Sequence, residues 1–250
     1  MSTVDITGFS PLTTKLSLDI SKDDFIKRMR FESQEEEERC NLYLELKGVA
    51  YHTLLANFIG LDEDEKIDYK KVKNLYVYDK RIRKILYKYL SAFEEGIRGF
   101  ISNKYSSHVM GVKQLSKAIY RSIVEGSSLS VELENLDFNQ LLSISKKLKE
   151  QDLIELYGKT THLAENLYAI KELRNTVSHH RLLFIYEDFN ECYFSDGRTG
   201  NSLCENIINL VQLSNPFYRD FITRDINESC HDKQDSNFLH SLPTNAIIKI

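Results

Sequence analysis

Tryptophan is absent from this 250-residue chain, proline occurs 3 times and glycine 10 times. With so few residues that punctuate a backbone, and with Leu, Ile, Lys and Glu abundant, the composition favours long helices and predicts a mainly α fold. Cysteine is also scarce. Cys40, Cys192, Cys204 and Cys230 lie far apart with no CxxC pair, which argues against a zinc site or a disulfide framework and fits reduced thiols. No apolar run approaches the roughly 20 residues of a membrane span, and Met1–Pro11 lacks the basic-then-apolar order of a signal peptide. A soluble, cytoplasmic protein with no membrane partner is expected. A net charge of −4 and a pI near 6.0 exclude a protein that coats nucleic acid by bulk charge. HExxH and P-loop patterns are missing as well, so neither a metal nor a cofactor is expected.

What remains is helical periodicity. Residues 1–20 carry none and read as an arm that packs over the core or stays mobile. Ser21 with Asp24 makes a short-acid variant of a capping box ahead of Phe25, Ile26 and Met29, and the acidic run Glu35 to Glu38 suits the positive end of a second helix. Leu42, Leu46, Val49, Leu54 and Phe58 predict one buried stripe over 42–59, ended by Gly60 and followed by a long loop or short turn. The strongest pattern runs over 78–104 through Ile82, Ile85, Leu86, Tyr89, Leu90, Phe93, Ile97, Phe100 and Ile101. Weaker stretches cover 112–124 and 138–148. A motif helix is expected over about 161–181, capped by Thr160 or Thr161 and buried through Leu163, Leu167, Ile170, Leu173 and Val177. The turn signal Ser195-Asp196-Gly197, beside aromatic and β-prone residues at 182–186 and 191–194, leaves room for a small hairpin. A helix over 203–213 should stop at Asn215-Pro216, giving one main domain over 21–215 and an extension over 216–250 with a short helix and then a tail.

The densest chemistry lies in Leu173-Arg174-Asn175-Thr176-Val177-Ser178-His179-His180-Arg181-Leu182-Leu183. Asn175 and His179, four apart, share a helical face that the longer Arg174 can reach. Imidazole, with an ordinary pKa of roughly 6.5, suits both removing a ribose 2′-hydroxyl proton and protonating a departing 5′-oxygen. A guanidinium fork suits the charge on non-bridging phosphate oxygens. Taken alone, the spacing favours a plainer reading in which Arg174 and Arg181 cap carbonyls at the helix end while His179 and His180 are surface or packing residues. His52, beside Val49, reads as a core histidine, and His162 as one that flanks a cap.

Arg-Asn-x-x-x-His at a helix end resembles the signature of HEPN ribonucleases, and the doubled His179-His180 resembles its abortive-infection (Abi) family version. A second element, Tyr78-Asp79-Lys80-Arg81-Ile82-Arg83 leading to Phe93-Glu94-Glu95-Gly96-Ile97-Arg98, is similar to that family's other recurrent helix, with Glu94 and Arg98 in supporting positions. The resemblance covers roughly residues 21–183. It implies a HEPN-type helical bundle with extra peripheral helices, and a homodimer whose motif helices meet at a cleft that cuts RNA during phage defence. Arg174, Asn175 and His179 would be catalytic, His180 would support them, and a small structured RNA would restrain the enzyme.

One further feature points to RNA from the residues themselves. Between Lys70 and Lys88, eight basic residues (Lys70, Lys71, Lys73, Lys80, Arg81, Arg83, Lys84 and Lys88) stand against one acid, Asp79, among Tyr69, Tyr76, Tyr78 and Tyr87. Basic charge tracks phosphates and tyrosine rings stack on unpaired bases, and Arg181 would extend this surface. A solvated helix face accounts for the run about as well. Two other functions stay open: a non-catalytic module that grips RNA or a nucleotide, and a helical interaction protein.

Overall fold

The computed structural model describes residues 15–62, 64–186 and 188–250, Val109 by its backbone only, and the chain is mainly α-helical. It divides into two compact units. One holds the residues up to Tyr78 with His231–Ile247, the other Asp79–Cys230 with Ile248–Ile250. The chain crosses between them at 78/79, 230/231 and 247/248, none of which is the 20/21 or 215/216 division read from the sequence.

In the first unit, Ser21 caps α1 (Lys22–Lys27) by accepting the Asp24 amide, as its spacing with Asp24 predicts. Met29–Arg30 (β1) pairs in parallel with Ile67–Asp68 (β2). Ser33 caps α2 (Gln34–Lys47), whose first turn carries Glu35, Glu36 and Glu37. The single stripe expected over 42–59 is corrected here. Gly48, at φ +85°, breaks it into α2 and α3 (Val49–Ile59), a left-handed backbone region that only glycine enters without cost. The rotation leaves Leu42 53% and Leu46 64% exposed, and Leu44, Leu55 and Ala56 form the buried face instead. His52 lies buried among Phe25, Tyr51 and Tyr76. Of the expected arm, residues 1–14 lie outside the described residues. Leu16 is anchored, its amide donating to Asn57 Oδ1 at 2.7 Å and its carbonyl accepting from Asn57 Nδ2 at 2.9 Å.

The long α4 (Tyr69–Tyr105) contributes Tyr69–Tyr78 to the first unit and Asp79–Tyr105 to the second. Ile82, Leu86, Tyr89, Leu90, Phe93, Ile97 and Ile101 are all buried along it, so the periodic stripe is the inward face. The expected helix over 112–124 is two, α5 (Val109–Leu115) and α6 (Lys117–Val124). Ser116 adopts an extended backbone between them and caps the second. Then come α7 (Leu129–Glu134), α8 (Phe138–Ser145) behind an Asp137/Gln140 capping box, and α9 (Glu150–Tyr157).

The motif helix α10 spans Leu163–Ser178. A hairpin does form, but Cys192–Tyr193 (β3) pairs with Thr199–Gly200 (β4) around the 195–197 turn, while 182–186 is a turn with no strand. Helix α11 (Leu203–Leu213) ends before Asn215-Pro216 as expected, with Pro216 at the first position of α12 (Pro216–Glu228). That thirteen-residue helix, and α13 (Phe238–Ser241) with its buried Phe238, give the last 35 residues packed structure where a short helix and a tail are expected.

Candidate active site at the end of helix α10

Leu167, Ala169, Ile170, Leu173 and Val177 bury one side of α10, and Asn166 locks it in register. The Asn166 side-chain amide exchanges two 2.8 Å bonds with the Tyr193 backbone, while the Asn166 backbone carbonyl accepts from Asn209 Nδ2 at 2.9 Å. Neither Thr160 nor Thr161 caps the helix. His162 occupies that position without a side-chain bond, its ring stacked 4.2 Å from Tyr193.

The other end is built with more constraint. The His180 amide donates to the Val177 carbonyl and the Arg181 amide to the Thr176 carbonyl, both at 3.2 Å. This crossed pair is a Schellman ending, in which the residue after the C-cap turns left-handed and is usually glycine. Here it is His180, at φ +54°, a conformation that costs a side-chain-bearing residue about 1–2 kcal/mol. The doubled histidine therefore divides into two roles. His179 is the C-cap and His180 the left-handed corner, and both are exposed, as is Arg181.

Arg174 and Asn175 lie half-buried one turn back. The Arg174 guanidinium lies 5.9 Å from the Phe138 ring centroid, and Asn175 Nδ2 reaches Glu172 Oε1 at 3.4 Å. Among the described residues no hydrogen bond or ring contact joins either side chain to the His179 imidazole. They share the last turn of one helix and are not assembled into a single contact. Arg181 turns its guanidinium over Tyr186, 5.2 Å from the centroid.

Glu94 and Arg98 form an ion pair at 2.8 Å, and Arg98 donates to the Leu133 and Leu136 carbonyls at 3.1 and 2.7 Å. They fix the end of α7, just before the helix start that sets Phe138 against Arg174. The basic run on α4 is largely committed to protein partners. In the first unit Lys70 pairs with Glu32 and Lys73 with Glu36. In the second, Arg81 donates to the Ser229 carbonyl, and Lys88 pairs with Asp225 and donates to the Tyr89 hydroxyl. Arg83 is paired with Asp79 and only 11% exposed, Lys71 is half-buried, and Lys80 and Lys84 are exposed.

Sequence reasoning passed over three participants. Phe138, which touches Arg174, is set by folding and leaves no signal in spacing, whereas Glu172 stands three residues before Asn175 on the same helix, where spacing alone could have paired them. Asp79, quoted in the α4 element and counted as the lone acid of a basic run but given no role of its own, is fully buried. One oxygen accepts the Leu183 amide at 2.6 Å and the other the Arg83 guanidinium, which also donates to the Arg181 carbonyl at 3.0 Å. Burial pushes its carboxyl up to about 6, against the pull of Arg83 and of the Leu183 and Phe184 amides. Its four-residue spacing to Arg83 was the available signal.

A cavity of about 450 Å³ elsewhere in the second unit is lined by Phe93, Gly96, Phe100, Tyr157, Leu213 and Tyr218, and by none of the residues from Leu173 to Leu183. Among the described residues no group of three His, Cys, Asp or Glu side chains is placed to hold a metal ion, and no helix is long and apolar enough to cross a membrane. No family model, curated protein or solved structure matches the chain. The resemblance therefore rests on the motif residues themselves.

Proposed function

We propose that this chain is an Abi-type HEPN endoribonuclease that acts in phage defence and cleaves RNA by acid-base chemistry at Arg174, Asn175 and His179. The observation that supports this reading is the exposed His179-His180 corner. Two imidazoles and the Arg181 guanidinium reach solvent where the backbone is held in a costly conformation, and strain of this kind concentrates at functional sites. In the reaction, a base takes the 2′-hydroxyl proton, that oxygen attacks the adjacent phosphorus, and the P–O5′ bond breaks as an acid protonates the leaving oxygen. A 2′,3′-cyclic phosphate and a 5′-hydroxyl result. One His179 cannot be base and acid together, so a homodimer that brings two motif helices to one cleft would supply both. Bound regulatory RNA would restrain the enzyme at the same cleft.

A second reading, a module that grips RNA without cutting it, is favoured by one observation. Arg174 and Asn175 are engaged with Phe138 and Glu172 and are not turned to His179. One experiment separates the two: incubate the purified protein and His179→Ala with a mixed RNA pool in EDTA and analyse the ends. Cyclic-phosphate ends from the wild type, falling at least about 10²-fold in the variant, are expected. Equal cleavage by both would sink the catalytic reading, and binding without cleavage by either would leave the grip.

A further inference from the structure

Resting on the catalytic reading, we propose that Asp79 and Arg83 are positioning residues for the His179-His180 corner, acting from helix α4 on the backbone that leaves α10. A left-handed histidine needs support from outside its own turn. An unfavourable backbone conformation persists only where its surroundings over-determine it, and the Schellman bonds fix just the near side of His180, through its own amide and that of Arg181. The far side is fixed by α4. Arg83 holds the Arg181 carbonyl, Asp79 holds the Leu183 amide, and the pair is bound to itself. The peptide groups that follow the corner are thus clamped by two side chains four residues apart on one helix, and buried Leu182 and Leu183 complete the anchor.

Cost also argues that the clamp has a use. Asp79 is wholly buried, and Arg83 leaves its Nε buried with no hydrogen-bond partner among the described residues. Apolar side chains of similar size would commonly hold such a site at no loss of stability. What they would not provide is a fixed direction for one carbonyl and one amide, and so for the two imidazoles just upstream. Neither Asp79 nor Arg83 has to touch RNA for this. The clamp therefore removes Arg83 from the phosphate-binding surface and gives it a different part in the same site.

The test uses the full-length protein, Asp79→Asn, which keeps the shape and an acceptor for Leu183 but loses the charge, and Arg83→Lys, which keeps a charge but loses the fork. A positioning role predicts that kcat falls about tenfold or more, since small displacements of reacting groups are costly, with KM for RNA nearly unchanged. It also predicts moved imidazole and amide NMR signals of His179 and His180 in a protein that still unfolds cooperatively. Unchanged kcat in both variants would overturn the inference, as would a rise in KM alone. If the wild type cleaves no RNA, the catalytic reading falls by itself and the NMR signals judge the clamp: moved signals uphold it and unmoved signals overturn it. Should Asp79→Asn not fold, Arg83→Lys carries the same readings.

Discussion

Helix α4 carries two carboxylate–guanidinium pairs at the same spacing, Asp79 with Arg83 and Glu94 with Arg98, and each arginine also donates to a backbone carbonyl of another segment. The arginines are alike, with side chains 11% and 12% exposed; the acids are not, at 0% for Asp79 and 19% for Glu94. Glu94 keeps access to water and serves only its arginine. Asp79 is sealed from solvent, and its second oxygen accepts the Leu183 amide. The same local motif is thus a brace at one end of the helix segment and a latch at the other, and the burial of the acid decides which.

The largest expected effect follows from that difference. Asp79→Ala would leave the buried Arg83 guanidinium with the Arg181 carbonyl but no counter-charge, and the buried Leu183 amide without its carboxylate acceptor, and breaking a buried pair from one side costs about 3–5 kcal/mol. Glu94→Ala removes a partly solvated partner while Arg98 keeps its two carbonyls, at a cost of about 1 kcal/mol. Urea unfolding of the two variants reads both numbers. Equal losses would show that burial of the acid does not separate the pairs.

A pH titration of stability sharpens the same contrast. The carboxyl of Asp79 is raised from 3.8 to about 6 in the folded state, so between those values the native protein holds a proton that the unfolded chain has released. Stability from this group must then fall as pH rises from about 4 to about 6 and stay low above that. With each pKa unit worth about 1.4 kcal/mol, the change is large enough to see in melting temperature. Asp225 has the opposite sign: hydrogen bonds from Tyr89 and Lys88 outweigh burial and lower its carboxyl, so its contribution is lost on acidification. In Asp79→Asn the fall between about 4 and 6 should vanish, and its survival would assign the titration to another group.

How far the sequence carries depends on whether a feature is local. The α4 stripe, the Ser21 cap and the stop at Asn215-Pro216 are set by neighbours within a turn or two, and each is found where the spacing puts it, whereas the basic end expected over 174–181 runs past α10, whose last turn holds no basic residue. Periodicity tells which side chains share a face and says nothing of whether another element covers it; hence Leu42 and Leu46, which fit the pattern, stand exposed. The candidate site divides the same way. Arg174, Asn175 and His179 announce themselves by residue type, but Phe138 under Arg174 and Asp79 under Leu183 come from 36 and 104 positions away, where local spacing carries no information. The basic run is read incompletely for a related reason, because composition counts charges and cannot see that Glu32, Glu36, Asp79 and Asp225 meet four of them.

The smallest effect tests what the latch holds. Arg98 braces the end of α7, where Asn135 has ordinary right-handed backbone, whereas Arg83 braces a corner whose His180 sits at φ +54°. If the latch restrains strain, relieving that strain should stabilise the fold. Replacing His180 with glycine relieves a left-handed penalty of about 1–2 kcal/mol but gives part of it back through the freer unfolded chain, about 0.4–1 kcal/mol. A net gain of roughly 0.5–1 kcal/mol is expected, read as a melting temperature higher by a few degrees. In the His180→Gly background Asp79→Asn should also cost less than it does alone, because the turn no longer needs holding, and residues coupled through a shared stretch of backbone deviate from additivity by amounts such cycles resolve. Additive losses would mean that latch and corner are independent, so that Asp79 and Arg83 merely fill a buried site as Glu94 and Arg98 fill a half-exposed one.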